Sequence, residues 1–173
     1  MFIELIATIV AGIAAAGLVM LINRAFRGRL PKWLAPVAAG VAMILATISN
    51  EYGWYGRTSA SLPDEFVIAQ TVESRALYRP WTYVRPFVER FVAVDRAAIR
   101  THPDQPGVKL ADVYLFGRWA PVSKLPVLVD CPNQRRAALT DAIEFQDDGI
   151  VAGAEWNTVA ADDPVVSTIC GGE

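Results

Sequence analysis

Histidine occurs once in this 173-residue chain and cysteine twice, which leaves little material for metal or nucleophile chemistry. The single histidine, His102, cannot complete a usual zinc site with Cys131 and Cys170, whose spacing matches no CxxC pattern. No serine stands in a G-x-S-x-G elbow, and Ser74 and Ser123 have no motif around them. Gly171-Gly172 lies at the end of the sequence rather than at the strand–helix turn of a phosphate loop. The acid pairs Asp147-Asp148 and Asp162-Asp163 lack the alternating oxygens and terminal Glu of an EF-hand loop, so they are expected to be solvated turns rather than calcium ligands. There is no internal repeat and no low-complexity run. These absences lead to an expectation of no catalytic residue, no metal and no cofactor. His102 beside Asp104 is the one candidate general base, and an exposed turn histidine is the simpler reading.

Charge is also missing from two long stretches. Leu5 to Ile22 and Trp33 to Ile48 carry none and are almost wholly apolar. A basic loop joins them, residues 23–32, with Arg24, Arg27, Arg29 and Lys32 and no acid. A bilayer core about 30 Å thick needs roughly 20 helical residues to cross it. The pattern is that of a transmembrane hairpin, with helices expected near 3–22 and 33–54. Trp33 at one end of the second helix and Trp54 and Tyr55 at the other have the rings that favour the headgroup layer. The positive-inside rule puts the loop in the cytoplasm and both termini outside. Compactness and an Ala/Arg-rich composition suggest a bacterium, hence an inner-membrane protein with a periplasmic domain. A cleaved signal peptide would want its positive charge before the apolar stretch, and here the charge follows. A buried hairpin of a soluble protein and the inverted topology are the remaining alternatives.

Ala7, Ala11 and Ala15 recur at four-residue spacing, as do Gly12 and Ala16, and Ala38, Ala42 and Ala46 on the second segment. Small residues so spaced let helix backbones approach closely. They fit packing within the hairpin, or docking to helices of another membrane protein. No ionisable group lies in the apolar centre of either helix, so an ion pathway or proton relay is not expected.

Residues 1–55 thus form the anchor and 56–173 one globular domain of ordinary size. The domain is mildly acidic, which argues against a nucleic-acid partner. Both cysteines fall in it, and an oxidising compartment would pair Cys131 with Cys170 in a disulfide. Residues 50–63 are expected to be a short tether. Strands are expected over Glu65–Glu73, Phe87–Val94, Val108–Trp119 and Lys124–Cys131, where β-branched and aromatic residues alternate. The Arg-Pro steps at 79–80 and 85–86 speak against helix between them. Residues 102–107 have turn composition, 95–100 is ambiguous, 133–145 is open between helix and strand, and 147–149 is a turn. Asp163-Pro164 looks like an N-cap followed by proline at the first helical position, with Gly171 as the stop. A strand over Val165–Ile169 is the alternative. The expected fold class is a membrane-anchored α+β chain: a two-helix hairpin, then a small β-rich, mostly antiparallel extracytoplasmic domain.

Charge is unevenly distributed along that domain. Arg75, Arg79, Arg85, Arg90, Arg96 and Arg100 crowd one region, whereas no base follows Arg136. Arg79, Trp81, Tyr83 and Arg85 combine guanidinium groups and aromatic rings, the composition of interface hot spots, and form the candidate partner-binding set. A simpler reading has the arginines paired with the acidic tail and the rings in the core. The expected function is that of a non-catalytic accessory or assembly subunit of a larger inner-membrane complex. Its expected partners are integral membrane proteins and membrane lipids, with no nucleic acid. A tethered periplasmic ligand-binding domain or an envelope enzyme is the alternative.

Overall fold

The computed structural model describes residues 2–139, 144–145 and 151–171. The chain divides into two compact units, Met1–Arg57 and Thr58–Glu173.

The first unit holds a helical hairpin. Helix α1 (Phe2–Ala25) and helix α2 (Leu34–Ala60) are both long and apolar enough to cross a membrane. Large apolar side chains such as Ile3, Ile13, Leu21, Ile44 and Leu45 point outward along both. The small residues face inward. Gly12 is buried, and a Cβ placed on it would come within 2.8 Å of Met43 Cγ. The backbone of α1 approaches α2 closely there because glycine leaves room. Ala11, Ala15, Ala38, Ala42 and Ala46 are half-buried, whereas Ala7 is exposed. At the end of α1, Arg27 (φ 58°) and Gly28 (φ 77°) turn the chain, the Gly28 N–H donates to Asn23 O at 2.8 Å, and Asn23 Oδ1 accepts from Leu30 N at 2.9 Å.

The expected tether at 50–63 is instead mostly helix, since α2 continues to Ala60. Gly53 and Gly56 resemble breaks, yet the Arg57 guanidinium folds back over Gly53, where no Cβ obstructs it, and donates to Asn50 O at 3.4 Å. Trp54 is buried, 6% exposed. Trp33 is exposed and Tyr55 half-buried.

The second unit is built on an antiparallel sheet of strands β1 (Phe66–Ser74), β2 (Phe87–Asp95), β3 (Arg100–His102), β4 (Gln105–Gly117), β5 (Ser123–Asp130), β6 (Arg135–Ala138) and β9 (Asn157–Thr158). The order is β1-β2-β4-β5-β6-β9, with β3 paired to β4. A separate pair joins β7 (Glu144–Phe145) to β8 (Val151–Ala152). Alternation sorts the side chains. Val94, Ala111, Val113, Val127 and Val129 face the short helix α4 (Pro164–Cys170), whose Val165, Val166 and Ile169 complete that core. On the other face Phe91 stacks on Phe116 at 4.6 Å, and Ala93, Leu128 and Ala137 are buried.

Three segments depart from expectation. Residues 81–84 form one helical turn, α3 (Trp81–Val84), which fits between the two Arg-Pro steps because Pro80 takes the helical conformation that starts it. Arg85, before Pro86, returns to extended backbone. His102 and Gln105–Gly107 belong to strands rather than to one long turn, leaving residues 103–104 to connect them. Within 133–145 the described residues form β6 and β7, not helix. The turn expected at 147–149 lies outside the described residues.

At the other end of the chain, α4 wins over the alternative strand. Asp163 Oδ1 accepts from Val165 N and Val166 N, each at 3.0 Å, and Pro164 follows the cap. Gly171 ends the helix at φ −80°, its N–H donating to Ser167 O at 2.9 Å. Cys131 and Cys170 are joined in a disulfide, which ties the end of α4 to the end of β5.

Candidate functional site

Strand direction decides which loops meet. β1 closes onto β2 at Ser74↔Phe87, and β4 closes onto β5 at Leu115↔Ser123. Arg90 pairs with Gly117, so both connections leave from the same end of the sheet. The Arg118 N–H donates to Glu89 O at 2.9 Å and ties the second connection to the foot of β2.

This end carries the sequence-derived set. Tyr83 and Arg85 are exposed, Trp81 is 37% exposed, and Arg79 is half-buried. Thr82 shapes the loop from within. It is fully buried, its hydroxyl donating to Arg79 O at 2.7 Å and accepting from Ala76 N at 3.1 Å. The Arg79 guanidinium lies over the rings of Tyr78 at 5.1 Å and Phe87 at 5.8 Å. Such stacking holds a cation beside rings without removing its charge.

Sequence reasoning pointed to the segment from Tyr78 to Phe87 but missed Leu77 and the second loop. Leu77 and Val84 are 87% and 90% exposed, Tyr78 is exposed, and Trp119 and Val122 project from the β4–β5 connection. Arg118 lies over the Trp119 ring at 5.0 Å. Large exposed apolar side chains are ordinary when scattered, but here they gather at one end. Residues 74–88 and 117–125 contain Arg75, Arg79, Arg85, Arg118 and Lys124 and no acid. Lys124 bonds Asp112 at 2.8 Å, and that hydrogen bond raises its pKa. The spread of this surface over two separate loops hides it from any linear motif. The register of β2 with β4 was the missing signal.

The opposite end of the sheet holds His102, Asp104 and the disulfide. His102 Nδ1 accepts the Asp104 backbone N–H at 3.3 Å, which places the ring proton of the neutral form on Nε2. Asp104 Oδ2 is 3.8 Å from Nδ1, and both side chains are exposed. Nearby, Asp130 is buried within a hydrogen-bonded turn. Burial pushes its carboxyl up, but hydrogen bonds from Asn133 and Arg135 outweigh this and hold it below the usual carboxylate range. A cleft of about 410 Å³ runs from Asp104 past Asp130 to Trp156, and the Arg135 guanidinium stacks on Trp156 at 4.9 Å.

A second cleft, of about 330 Å³, opens on the α4 face of the sheet. Val92, Leu115, Leu125 and Val165 make its apolar wall, and Gln70 and Arg136 are among its polar groups. Arg136 is 3.5 Å from Asp163. Among the described residues no group of three or more His, Cys, Asp or Glu is placed to hold a metal ion.

Comparison of the chain with protein-family models, with curated proteins and with solved structures finds no match.

Proposed function

We propose that this chain is a non-catalytic accessory subunit of a bacterial inner-membrane complex. In this reading α1 and α2 span the bilayer with the basic loop in the cytoplasm, and the β-rich domain works outside by contact rather than by reaction. The observation that carries it is the arginine- and aromatic-rich loop end of the sheet, with its exposed Leu77, Val84, Trp119 and Val122. A monomer without a contact to make has little reason to gather such side chains at one end. The outward-facing apolar residues of the hairpin support anchoring, and the Cys131–Cys170 bond supports an oxidising compartment.

Purification of the intact chain in mild detergent tests the reading. It predicts co-elution with at least one integral membrane protein in fixed proportion. Elution of the chain alone as a monomer, from cells of the source organism, would refute it.

The cleft beside α4 favours a second reading, a tethered domain that binds a small amphiphile with its apolar part against Val92 and Leu125 and an anionic group near Arg136. A thermal-shift screen of metabolites and lipids separates the two, since a ligand stabilises the state it binds.

A further inference from the structure

We infer that the loop end of the sheet, residues 75–86 with 118–122, rests on a lipid surface rich in anionic headgroups. The inference builds on the anchored reading above and names the contact of that surface.

Three features fit a lipid surface. First, Leu77 and Val84 are almost fully exposed tips, the form that enters a fluid acyl boundary. Second, Tyr78, Trp81, Tyr83 and Trp119 stand beside those tips, and such amphipathic rings favour the headgroup level. Third, the charge is complementary. Both loop segments carry cations and no acid. Arg79 and Arg118 hold their cations against rings, which keeps charge and apolar surface together at one level.

The test uses the full chain in nanodiscs of phosphatidylcholine alone or mixed with phosphatidylglycerol. The native cysteines are bonded to each other, so a fluorophore can be placed on Val84→Cys, with Asp104→Cys at the opposite end of the sheet as control. Spin-labelled lipid serves as quencher. In mixed discs quenching at position 84 should exceed that at 104 roughly twofold or more, and should fall in high salt and in phosphatidylcholine alone. Adding Leu77→Glu, an exposed site whose substitution leaves the core untouched, should reduce it as well. Equal quenching at the two positions, or quenching at 84 indifferent to phosphatidylglycerol, overturns the inference. Shielding of position 84 only when a co-purified protein is added also overturns it, while leaving the accessory-subunit reading standing. Strong lipid quenching in a chain that never co-purifies with a partner does the reverse.

Discussion

Arg135 reaches back across the turn between β5 and β6 and donates from both Nε and Nη2 to a single oxygen of Asp130, each at 2.7 Å. Asn133 completes the arrangement, its backbone N–H meeting Asp130 Oδ1 at 3.2 Å and its side-chain amide meeting Oδ2 at 2.9 Å. Gln134, at φ 48°, lets the chain turn tightly enough for this. A buried carboxylate thus organises the corner from which the disulfide departs.

The carboxyl of Asp130 is held below its ordinary range, so the folded chain binds its proton less readily than the unfolded chain does. Its stabilising contribution is complete above the unfolded value of about 3.9 and is lost as pH falls through the lower folded value. Asp130→Asn should therefore destabilise the domain near pH 7 by about 1–3 kcal/mol. The gap between variant and parent should narrow as pH drops below about 4. Thermal unfolding at several pH values checks this, and a gap that does not depend on pH would contradict it.

The Cys131–Cys170 bond closes a span of 39 residues. In the chain-entropy model its loss costs roughly 4 kcal/mol. Paired Cys131→Ser and Cys170→Ser substitution should lower the melting temperature and raise hydrogen exchange first in α4, whose Val165, Val166 and Ile169 fill the core. Unchanged exchange in α4 would show that packing alone holds it.

Asp163 caps α4 through two backbone N–H groups and lies 3.5 Å from Arg136. Asp163→Ala should cost about 1 kcal/mol, and Asp163→Asn, which keeps an acceptor oxygen, should cost less. Denaturant unfolding of the two variants measures the difference. An equal loss in both would place the effect in the ion pair instead.

Gly12 lies where α1 meets Met43 of α2, and a side chain there would have to displace Met43. Gly12→Leu should destabilise the hairpin by roughly 1–3 kcal/mol, whereas Gly17→Ala, with open space around it, should not. Thermal melting of the two variants in the same detergent separates these outcomes.

Features written in adjacent residues were legible before the structure. Asp163-Pro164 announces a helix start, alternation marks the main strands, and two cysteines in one domain suggest a bond. Two local features and one long-range feature were not. Gly53 and Gly56 look like breaks until Arg57 is seen folded over Gly53. Pro80 and Pro86 look prohibitive until a single turn is fitted between them. Trp81 and Tyr83 were visible as candidates, but their neighbours Trp119 and Val122 come from another loop and join them only through the pairing of β2 with β4. His102 and Asp104 are indeed side by side, at an exposed strand end remote from that surface.

The most direct measurement is the compartment of each side of the hairpin. Alkaline phosphatase, which is active only outside the cytoplasm, should be active when fused after residue 173 and inactive when fused in the loop at Gly28. The reverse pattern would put the β-rich domain in the reducing cytosol and contradict the proposed orientation of the hairpin and the compartment of the disulfide together.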